Sequence, residues 1–404
     1  MGVIGIALEA AVKIIADSTR PVAQCEEVAV SEAGGRILAC DIIAAADQPP
    51  FPRSPLDGFA FAAESVKGAG REGGICLEVV ATVYAGDYLE QEIAAGKAVK
   101  IMTGAPIPTG CDCVIRQEEV EYKDQQLKVF REQKAYDNYC HAGEDYKKGT
   151  LLLKEHEVIS FVEMGILASA GLARVSVYRQ PRIALFATGE ELVYPGTELK
   201  PGKIYDSNLY FMQGRLRELG LEAAVAEQLP DDPEAAAKRL AEVSAQADGI
   251  ITTGAVSVGE RDMFHQILPL LQCERLFWRV NLKPGTPAMF SVLNETPMLN
   301  LSGNPFAALT TFELLGRPML YQLTGNRALL TRQSQAVLDK AFDKESKGRR
   351  FIRAYYDGTR VFLPEMKKHA SGVLSSMKGC NCLVDIPPDT GNLPKGEQVT
   401  IWLL

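Results

Sequence analysis

The chain has 404 residues, 47% of them hydrophobic, which is enough for several buried cores, and a chain of this length is expected to form two to four domains. Acidic residues outnumber basic ones by 51 to 43, a net charge of −8, and no Lys- or Arg-rich run stands out. This balance argues against binding to nucleic acid or to an anionic membrane surface. An anionic ligand would therefore be bound by a few groups within one site and not by a broad basic surface.

Targeting signals and disulfides are not expected. The first twenty residues lack the basic start and long apolar core of a secretory signal, and no apolar run reaches the roughly 18 residues of a membrane span. The nine cysteines are an odd, scattered set, which favours reduced thiols in the cytoplasm. Two Cys-x-Cys pairs, Cys111/Cys113 and Cys380/Cys382, lack a second pair at zinc-site spacing, so burial is the favoured interpretation.

The first 176 residues change pattern twice. Residues 8–17 have helical periodicity, whereas residues 75–130 are short β-type runs separated by Gly, Pro and Asp, as in a small all-β insert. Residues 160–171 predict a further helix, with Ser160 as N-cap and Glu163 completing a capping box. That helix is expected to return to the first domain.

Strand and helix patterns alternate from about residue 177 to 325, with Asn208 and Asp232 as predicted helix N-caps. This βαβ order predicts an α/β fold whose central sheet is mostly parallel and doubly wound. After about residue 330 the chain is again β-rich, which predicts a C-terminal β domain. The predicted division is domain I (1–52 and 142–176), the β-rich domain II (53–141), the α/β domain III (177–328) and domain IV (329–404).

Polar motifs begin where four predicted strands end, and they occupy residues 188–191, 230–232, 252–262 and 302–305. In an open parallel sheet these ends lie at one edge, where ligands bind. Helix N-termini and glycine-permitted backbone N–H groups at that edge favour anions, but the same edge collects carboxylates. Mg²⁺ between the carboxylates and a phosphorylated ligand would resolve the repulsion.

Other interpretations of these motifs stay open to different degrees. Asp232 is foremost a helix cap, and Gly254 and Gly259 are compatible with a simple tight turn. A serine-hydrolase elbow needs Gly-x-Ser-x-Gly, but Ala255 stands at the first position. The literal Gly-x-Gly-x-x-Gly that begins at Gly68 has no strand before it, which argues against a dinucleotide fingerprint. The sequence does not decide which member of each acidic pair, 190/191 or 231/232, touches metal.

Nine motifs together resemble the molybdopterin molybdenumtransferase family, which includes bacterial MoeA and the E domain of gephyrin. The first three are SPLDGFA (54–60), VKIMTGAPIPTGCDCVIRQEE (99–119) and AGEDYKKG (142–149). FATGEELVYPG, IYDSN, PDD, TTGAVSVGERD, LKPGTP and SGNP follow in the family's order. One such motif would be weak evidence, whereas nine in sequence are specific.

The resemblance implies an enzyme of molybdenum cofactor biosynthesis. Such an enzyme takes adenylylated molybdopterin and molybdate as substrates, uses Mg²⁺, and releases AMP. It also implies a MoaB/MogA-like α/β domain, an elongated homodimer with the active cleft at the subunit interface, and a MogA-like adenylyltransferase as a partner. The alternative is a non-catalytic or specialised paralogue that binds or delivers the pterin.

Site residues are carried over from the family's motifs. The residues implied to be catalytic are Asp57, Thr103, Asp145, Glu191, Asp231, Asp262 and Lys283, the last of which would face phosphate or molybdate. Those implied to bind metal are Glu191, Asp231 and Asp262. Those implied to hold the cofactor are Gly254, Ser257, Gly259, Thr286, Ser302, Gly303, Asn304, Arg350 and Ser375. A protein that only binds the pterin has little need of the five carboxylates among the residues implied to be catalytic. Their presence together therefore favours the enzyme over the binding protein.

Three departures from the family's motifs bear on activity. Ala255 replaces a glycine whose φ freedom shapes the loop, and Ser302 stands in place of a proline. Thr286 stands where the family has a second lysine facing an anion. The loss of one close cation from a partly buried anion site costs about 1.5–3 kcal/mol, which is roughly ten- to a hundredfold in binding or rate.

Overall fold

The structure is a computed structural model that describes residues 2–256, 263–364 and 370–404. Helices and strands alternate through its central part. The α-helices are α1 (Leu8–Ser18), α2 (Phe161–Ser169), α3 (Asn208–Glu218), α4 (Pro233–Ser244), α5 (Met263–Leu270), α6 (Pro305–Thr311) and α7 (Arg317–Thr324). A π-helical turn, Phe312–Gly316, joins α6 to α7.

The strands fall into two groups along the chain. Those before residue 180 are β1 (Val3–Ile6), β2 (Cys25–Ala29), β3 (Ile42–Ile43), β4 (Gly58–Phe61), β5 (Ile75–Val83), β6 (Lys97–Ile101), β7 (Cys113–Arg116), β8 (Val120–Lys123), β9 (Gln126–Val129), β10 (Leu151–Leu153) and β11 (Arg174–Tyr178). Those after it are β12 (Ile183–Ala187), β13 (Leu192–Val193), β14 (Ile204–Tyr205), β15 (Ala223–Gln228), β16 (Gly249–Thr253), β17 (Arg275–Val280), β18 (Leu282–Lys283), β19 (Met289–Leu293), β20 (Thr296–Leu301), β21 (Gln333–Leu338), β22 (Arg349–Tyr356), β23 (Arg360–Phe362), β24 (Cys382–Ile386) and β25 (Gln398–Leu403).

The chain forms two compact units. Unit 1 comprises Met1–Glu26, Gly35–Ile37 and Val177–Leu404, and unit 2 comprises Glu27–Gly34 and Leu38–Ser176. The first 26 residues, which the sequence placed in domain I, therefore belong to unit 1. The reason is that β1 pairs in parallel with β17 and α1 packs into the core beside it. The division into four domains stays a prediction.

Unit 1 contains a seven-stranded sheet in the order β1-β17-β19-β20-β16-β12-β15. Its neighbouring strands are parallel except where β19 pairs with β17 and with β20. β19 is reversed because Asn294 and Glu295, with φ of 49° and 69°, form a tight turn that closes a hairpin with β20. The predicted mostly parallel sheet is confirmed.

Helices cover both faces of this sheet, as the βαβ order predicts. On one face α1, α3 and α7 bury side chains that include Ile15, Met212 and Leu320. On the other face α4 and α5 bury Leu240 and Phe264. Because both faces are occupied by apolar packing, polar groups that bind ligands must lie at the ends of the strands.

A second sheet of unit 1 forms the C-terminal β-barrel. Its order is β18-β22-β23-β21-β25-β24, and an additional pairing between β22 and β24 closes it. β18 follows β17 of the central sheet and adds to β22 in parallel. The two-residue strand β18 therefore brings the central and C-terminal parts of unit 1 together beside Lys283.

Unit 2 is built around a six-stranded sheet in the order β7-β4-β6-β5-β9-β8. Phe59 and Ala60 alternate on β4, and each contributes to a separate core on its own face of the sheet. The predicted β-rich insert is confirmed. Cys111 and Cys113 are free and buried in this packing, and burial raises the pKa of Cys111 to about 12. A protonated thiol is a poor metal ligand, which agrees with the favoured interpretation of the first Cys-x-Cys pair.

The helix caps agree with the sequence at two of three positions. Ser160 and Glu163 form the predicted capping box at α2, and Asp232 accepts the N–H of Ala235 at 2.8 Å to cap α4. The prediction for α3 was wrong, because Asn208 is already its first helical residue. The carboxylate of Asp206 instead accepts an N–H of the first turn of α3, at 3.1 Å from the nitrogen of Leu209. In the described part of the chain, no helix is both long enough and apolar enough to span a bilayer.

Candidate functional site

Four loops of unit 1 lie side by side where the adjacent strands β20, β16, β12 and β15 end. Backbone hydrogen bonds join neighbouring loops. The N–H of Thr188 donates to the carbonyl of Thr253, and that of Gly254 donates to the carbonyl of Leu301, each at 2.9 Å. The described residues of the four motifs therefore converge, as the parallel order of the strands predicts.

These loops line a pocket of about 1360 Å³ in unit 1. Its volume exceeds the several hundred Å³ of an ordinary small-molecule site, so it has room for an extended ligand. Two close approaches shape the floor of the pocket. Gly254 has φ of +94°, and a Cβ there would lie 2.3 Å from the carbonyl oxygen of Thr188. Gly303 packs against Gly254, since a Cβ at Gly303 would lie 3.4 Å from the Gly254 Cα.

One wall of the pocket is acidic and contains Glu190, Glu191 and Asp231. Partial burial, followed by the negative charges of Glu190 and Glu191, raises the pKa of Asp231. The charge of Lys203 and a hydrogen bond from the backbone N–H of Gly189 act in the opposite direction but do not cancel the effect. Glu190 and Glu191 therefore disfavour the ionised form of Asp231, and Lys203 offsets this effect only in part.

Asp231 and Asp232 have separate roles. Asp231 lines the pocket, whereas the Asp232 carboxylate caps α4 through its hydrogen bond to the N–H of Ala235. The geometry thus favours Asp231 as the member of this pair that faces a ligand. Glu190 and Glu191 both line the pocket, so the second pair is not separated in this way.

Cationic residues also line the pocket, and this group is called the cationic wall. Lys283 on β18 and Arg350 on β22 are register partners in parallel strands, and both line the pocket together with Lys344. Arg350 Nε donates to Ser346 Oγ at 3.3 Å, which orients its guanidinium. Residues of both charges therefore line the pocket.

A fourth cation in this wall, Arg353, is held more rigidly. Arg353 is 1% exposed, and its Nη2 donates to the carbonyl of Ala370 at 3.0 Å. Its guanidinium carbon lies 4.1 Å from the ring centroid of Phe306, a cation–π contact. Burial lowers the pKa of Arg353. Ser371, which follows Ala370, also lines the pocket, and its carbonyl accepts the N–H of Phe306 at 3.0 Å.

Unit 2 holds a second group of the predicted residues. The Oδ1 atom of Asp57 accepts the N–H of Thr103 at 2.7 Å and its Oγ1–H at 2.8 Å. These hydrogen bonds lower the pKa of Asp57, so its carboxylate is ionised at neutral pH. Asp145 is exposed, and its N–H donates to the carbonyl of Gln48 at 2.9 Å.

Backbone hydrogen bonds connect the same loops of unit 2. Arg53 exchanges hydrogen bonds with Cys140 at 3.0 and 3.1 Å, and Ser54 exchanges them with Ala105 and Gly104 at 3.0 and 2.8 Å. The residues just before Asp57 are thus held by backbone hydrogen bonds to two other segments.

A complete metal site is not formed by the part of the chain that the structure describes. Among those residues, no group of three His, Cys, Asp or Glu side chains has the geometry to hold a metal ion. Glu191 and Asp231 lie on the same wall, whereas Asp262, the third predicted ligand, lies outside the described residues. Ser257 and Gly259 lie outside them as well.

Family models match three consecutive parts of the chain. They are the MoeA N-terminal region (domain I and II) at residues 6–171, the probable molybdopterin binding domain at residues 184–322, and the MoeA C-terminal region (domain IV) at residues 335–404. The pocket described above is lined by the second and third of these regions.

Whole-chain comparisons agree. The chain is 33% identical to a molybdopterin molybdenumtransferase of Haemophilus influenzae, over 94% of this chain and 93% of the relative. It is 32% identical to one of Staphylococcus epidermidis, over 93% and 90%. The chain belongs to the molybdopterin molybdenumtransferase family. It is therefore an enzyme of molybdenum cofactor biosynthesis.

The fold agrees with solved structures of the molybdopterin molybdenumtransferase family. A crystal structure of a MoeA protein of molybdopterin biosynthesis from Pyrococcus horikoshii superposes with a TM-score of 0.83 at 30% identity, covering 99% of this chain and all of that one. The superposition therefore extends over the full length of both chains.

The structure separates the predicted residues by position. Those that line the pocket of unit 1 are Glu191, Asp231, Gly254, Lys283, Thr286, Ser302, Gly303, Asn304 and Arg350. Asp57, Thr103 and Asp145 lie in unit 2. Ser375 is exposed, does not line the pocket, and belongs to the 3₁₀ turn Leu374–Met377. The structure places Ser371 in the pocket instead.

The departures at Ala255 and Thr286 have visible consequences. Ala255 has φ of +53°, a left-handed conformation that a glycine adopts more easily. Thr286 lines the pocket, but its Oγ1 donates to the carbonyl of Leu282 at 2.6 Å. The Thr286 hydroxyl is therefore engaged within its own loop.

Sequence reasoning missed several residues that line the pocket, namely Arg353, Ser371, Lys344, Asp206 and Phe306. The IYDSN motif was a usable signal for Asp206, since it is one of the nine family motifs. Arg353 had no such signal, because it occupies an inward position in a β-type run and only the fold shows which cavity that position faces.

Proposed function

We propose that this enzyme inserts molybdenum from molybdate into adenylylated molybdopterin with release of AMP, in a reaction that depends on Mg²⁺. The observation that carries this proposal is that carboxylates and cations line one large pocket, namely Glu190, Glu191 and Asp231 together with Lys283, Arg350 and Arg353. Such a pocket can hold an oxyanion and a metal-bound phosphoanhydride at the same time.

The acidic wall fits Mg²⁺. The donors are carboxylate oxygens, which Mg²⁺ prefers. Burial first, and then the charges of Glu190 and Glu191, raise the pKa of Asp231, and a divalent cation would offset both effects. We propose Glu191 and Asp231 as ligands, with Asp262 as the third. When bound, Mg²⁺ supplies charge neutralisation and polarises the phosphoanhydride.

The floor and the cationic wall would hold the anionic parts of the substrates. Gly254 gives the ligand access to the backbone beside the N-terminus of α6, where Asn304 is the N-cap. We expect this edge, together with Ser257 and Gly259, to receive the phosphate end of the pterin. Lys283 and Arg350 are suited to molybdate or phosphate, since charge-assisted hydrogen bonds to oxyanions are strong.

The residues of unit 2 are proposed to complete the site in a homodimer. Asp57 is ionised and fixed by Thr103, which suits it to orient a ligand or a cation. Asp145 belongs to the same proposal. We further propose that the enzyme acts in the cytoplasm and receives its substrate from a MogA-like adenylyltransferase. Light scattering of the purified chain tests the dimer, and a monomer at micromolar concentration would contradict it.

Release of AMP tests the reaction itself. Purified protein is incubated with adenylylated molybdopterin, molybdate and Mg²⁺, and AMP is followed by chromatography. We expect AMP only when molybdate and Mg²⁺ are both present. If a family member of known activity releases AMP under the same conditions and this chain does not, the insertase proposal is wrong.

A second candidate function is a protein that binds or delivers the pterin without turning it over. Two observations favour it, namely the strained φ of Ala255 and the Thr286 hydroxyl that is engaged by Leu282. Stoichiometric binding of adenylylated molybdopterin without any AMP release would support this alternative.

A further inference from the structure

Lys344 is an exposed cation that lines the pocket from the segment between β21 and β22. Two buried residues hold this segment in place. Phe342 and Ser346, each 2% exposed, lie two residues before and two residues after it. Phe342 exchanges backbone hydrogen bonds with Leu393 at 2.8 and 3.1 Å, and Ser346 exchanges them with Thr390 at 2.9 and 3.2 Å. Lys344 therefore stands at the tip of a short loop that is anchored on both sides.

The same anchor links Lys344 to the other cations. Ser346 Oγ accepts Arg350 Nε at 3.3 Å, and Arg350 is the register partner of Lys283. Lys283, Arg350 and Lys344 thus all line the same pocket. Within residues 2–256, 263–364 and 370–404, neither Lys283 nor Lys344 forms a salt bridge.

Most exposed lysines are simply solvated and bind no ligand, and this is the competing interpretation of Lys344. Two observations separate Lys344 from that case. The residues two positions before and after it, Phe342 and Ser346, are buried and paired, although the loop between them is polar and exposed. Lys344 lines the same pocket as Lys283 and Arg350, and like charges that face one cavity repel unless an anion lies between them.

The loop of residues 282–287 contributes one cation to this wall. The Thr286 hydroxyl donates to Leu282, so Lys283 is the charge that this loop presents. A doubly charged tetrahedral oxyanion needs more than one cationic partner when it is partly desolvated. The C-terminal part of the chain adds Lys344 to the arginines, Arg350 and Arg353, that line the same pocket.

We propose that Lys344 is an oxyanion-binding residue of this pocket and provides the charge that Thr286 does not. The inference rests on the proposed function, since it takes the pocket as the binding site of that reaction. The ligand class is a tetrahedral dianion, which is free molybdate or the phosphate of the pterin substrate.

The test measures binding of two probes to the full-length protein by titration calorimetry, namely sodium molybdate alone and inorganic phosphate alone. Lys344→Gln is compared with Lys347→Gln, because Lys347 is exposed in the same segment and does not line the pocket. We expect Lys344→Gln to weaken binding about ten- to a hundredfold, the effect of one charge-assisted hydrogen bond. Lys347→Gln is expected to change binding by less than about twofold.

A second-site variant sharpens the test. Thr286→Lys in the Lys344→Gln background returns a cation to the same wall and is expected to recover most of the lost affinity. A loss confined to molybdate assigns Lys344 to the free oxyanion, and a loss confined to phosphate assigns it to the phosphate end; both support the proposal.

Three results would overturn the proposal. They are unchanged binding of both anions by Lys344→Gln, an equal loss in Lys347→Gln, and wild-type protein that binds neither anion. The outcome is separable from that of the proposed function, because wild-type protein that binds molybdate through Lys344 but releases no AMP removes the insertase proposal alone.

Discussion

Thr103 donates two hydrogen bonds to a single oxygen of the Asp57 carboxylate, one from its backbone N–H and one from its hydroxyl. Both contacts favour the ionised form, and they lower the pKa of Asp57. The carboxylate is therefore fixed in charge and in orientation by one neighbour.

Thr103→Val should raise the pKa of Asp57 toward its ordinary value, because the hydroxyl contact is lost while the backbone contact remains. The lowered pKa contributes stability above the pKa of the unfolded chain, and that contribution is lost as the pH falls through the folded value. Because the variant raises the folded-state pKa, it should narrow the interval between the folded and unfolded pKa values of Asp57, and with it the stability that this carboxylate contributes. Carbon-detected NMR titration of the Asp57 carboxyl checks the shift, and Thr109→Val, which lies outside this contact, serves as control. An unchanged titration in Thr103→Val would show that the hydroxyl does not matter.

Ala255→Gly should stabilise the protein by about 1 kcal/mol. Ala255 has φ of +53°, which costs a residue with a Cβ about 1–2 kcal/mol, partly offset by the greater entropy of glycine in the unfolded chain. Chemical unfolding measures the change. The opposite sign is expected for Ala241→Gly in the interior of α4, which should cost about 1 kcal/mol. Destabilisation by both variants would mean that the backbone at Ala255 is not strained.

Glu313→Gln should destabilise unit 1 by about 3–5 kcal/mol, since it leaves two guanidinium groups beside a neutral amide. Glu313 is 0% exposed, and its carboxylate accepts hydrogen bonds from Arg215 Nε at 2.7 Å and Arg317 Nη1 at 2.9 Å. Glu218→Gln removes only the exposed partner of Arg215 and should cost less than about 1 kcal/mol. Equal unfolding midpoints for the two variants would contradict this account of the buried ion pairs.

The sequence predicted the parallel sheet and the convergence of the four loops because both follow from local patterns. Strand ends, capping residues and glycines are visible within a few residues, and parallel order then places the loops at one edge. The resemblance to the family's motifs then indicated which acidic residues of these loops belong to the candidate site.

Other features depend on contacts between distant parts of the chain. Residues 3–6 join the central sheet by pairing with β17, whose sequence is more than 260 residues away. Ser375 does not line the pocket, and its role stays a prediction; only the hydrogen bond of Phe306 to the segment after residue 370 shows that Ser371 belongs to the pocket. Lys344 is a single lysine in a polar loop, and its significance appears only with the buried anchors beside it.

The central claim is that the acidic wall of the pocket takes part in the reaction, and Asp231 and Asp232 allow a matched test of it. The measurement is the rate of AMP release from adenylylated molybdopterin, with molybdate and Mg²⁺, for Asp231→Asn and Asp232→Asn. Asp231 lines the pocket, so its variant should lose at least about a hundredfold in rate. Asp232 caps α4, and asparagine caps helices equally well, so its variant should stay within about threefold of wild type. Wild-type rates for Asp231→Asn would contradict the account.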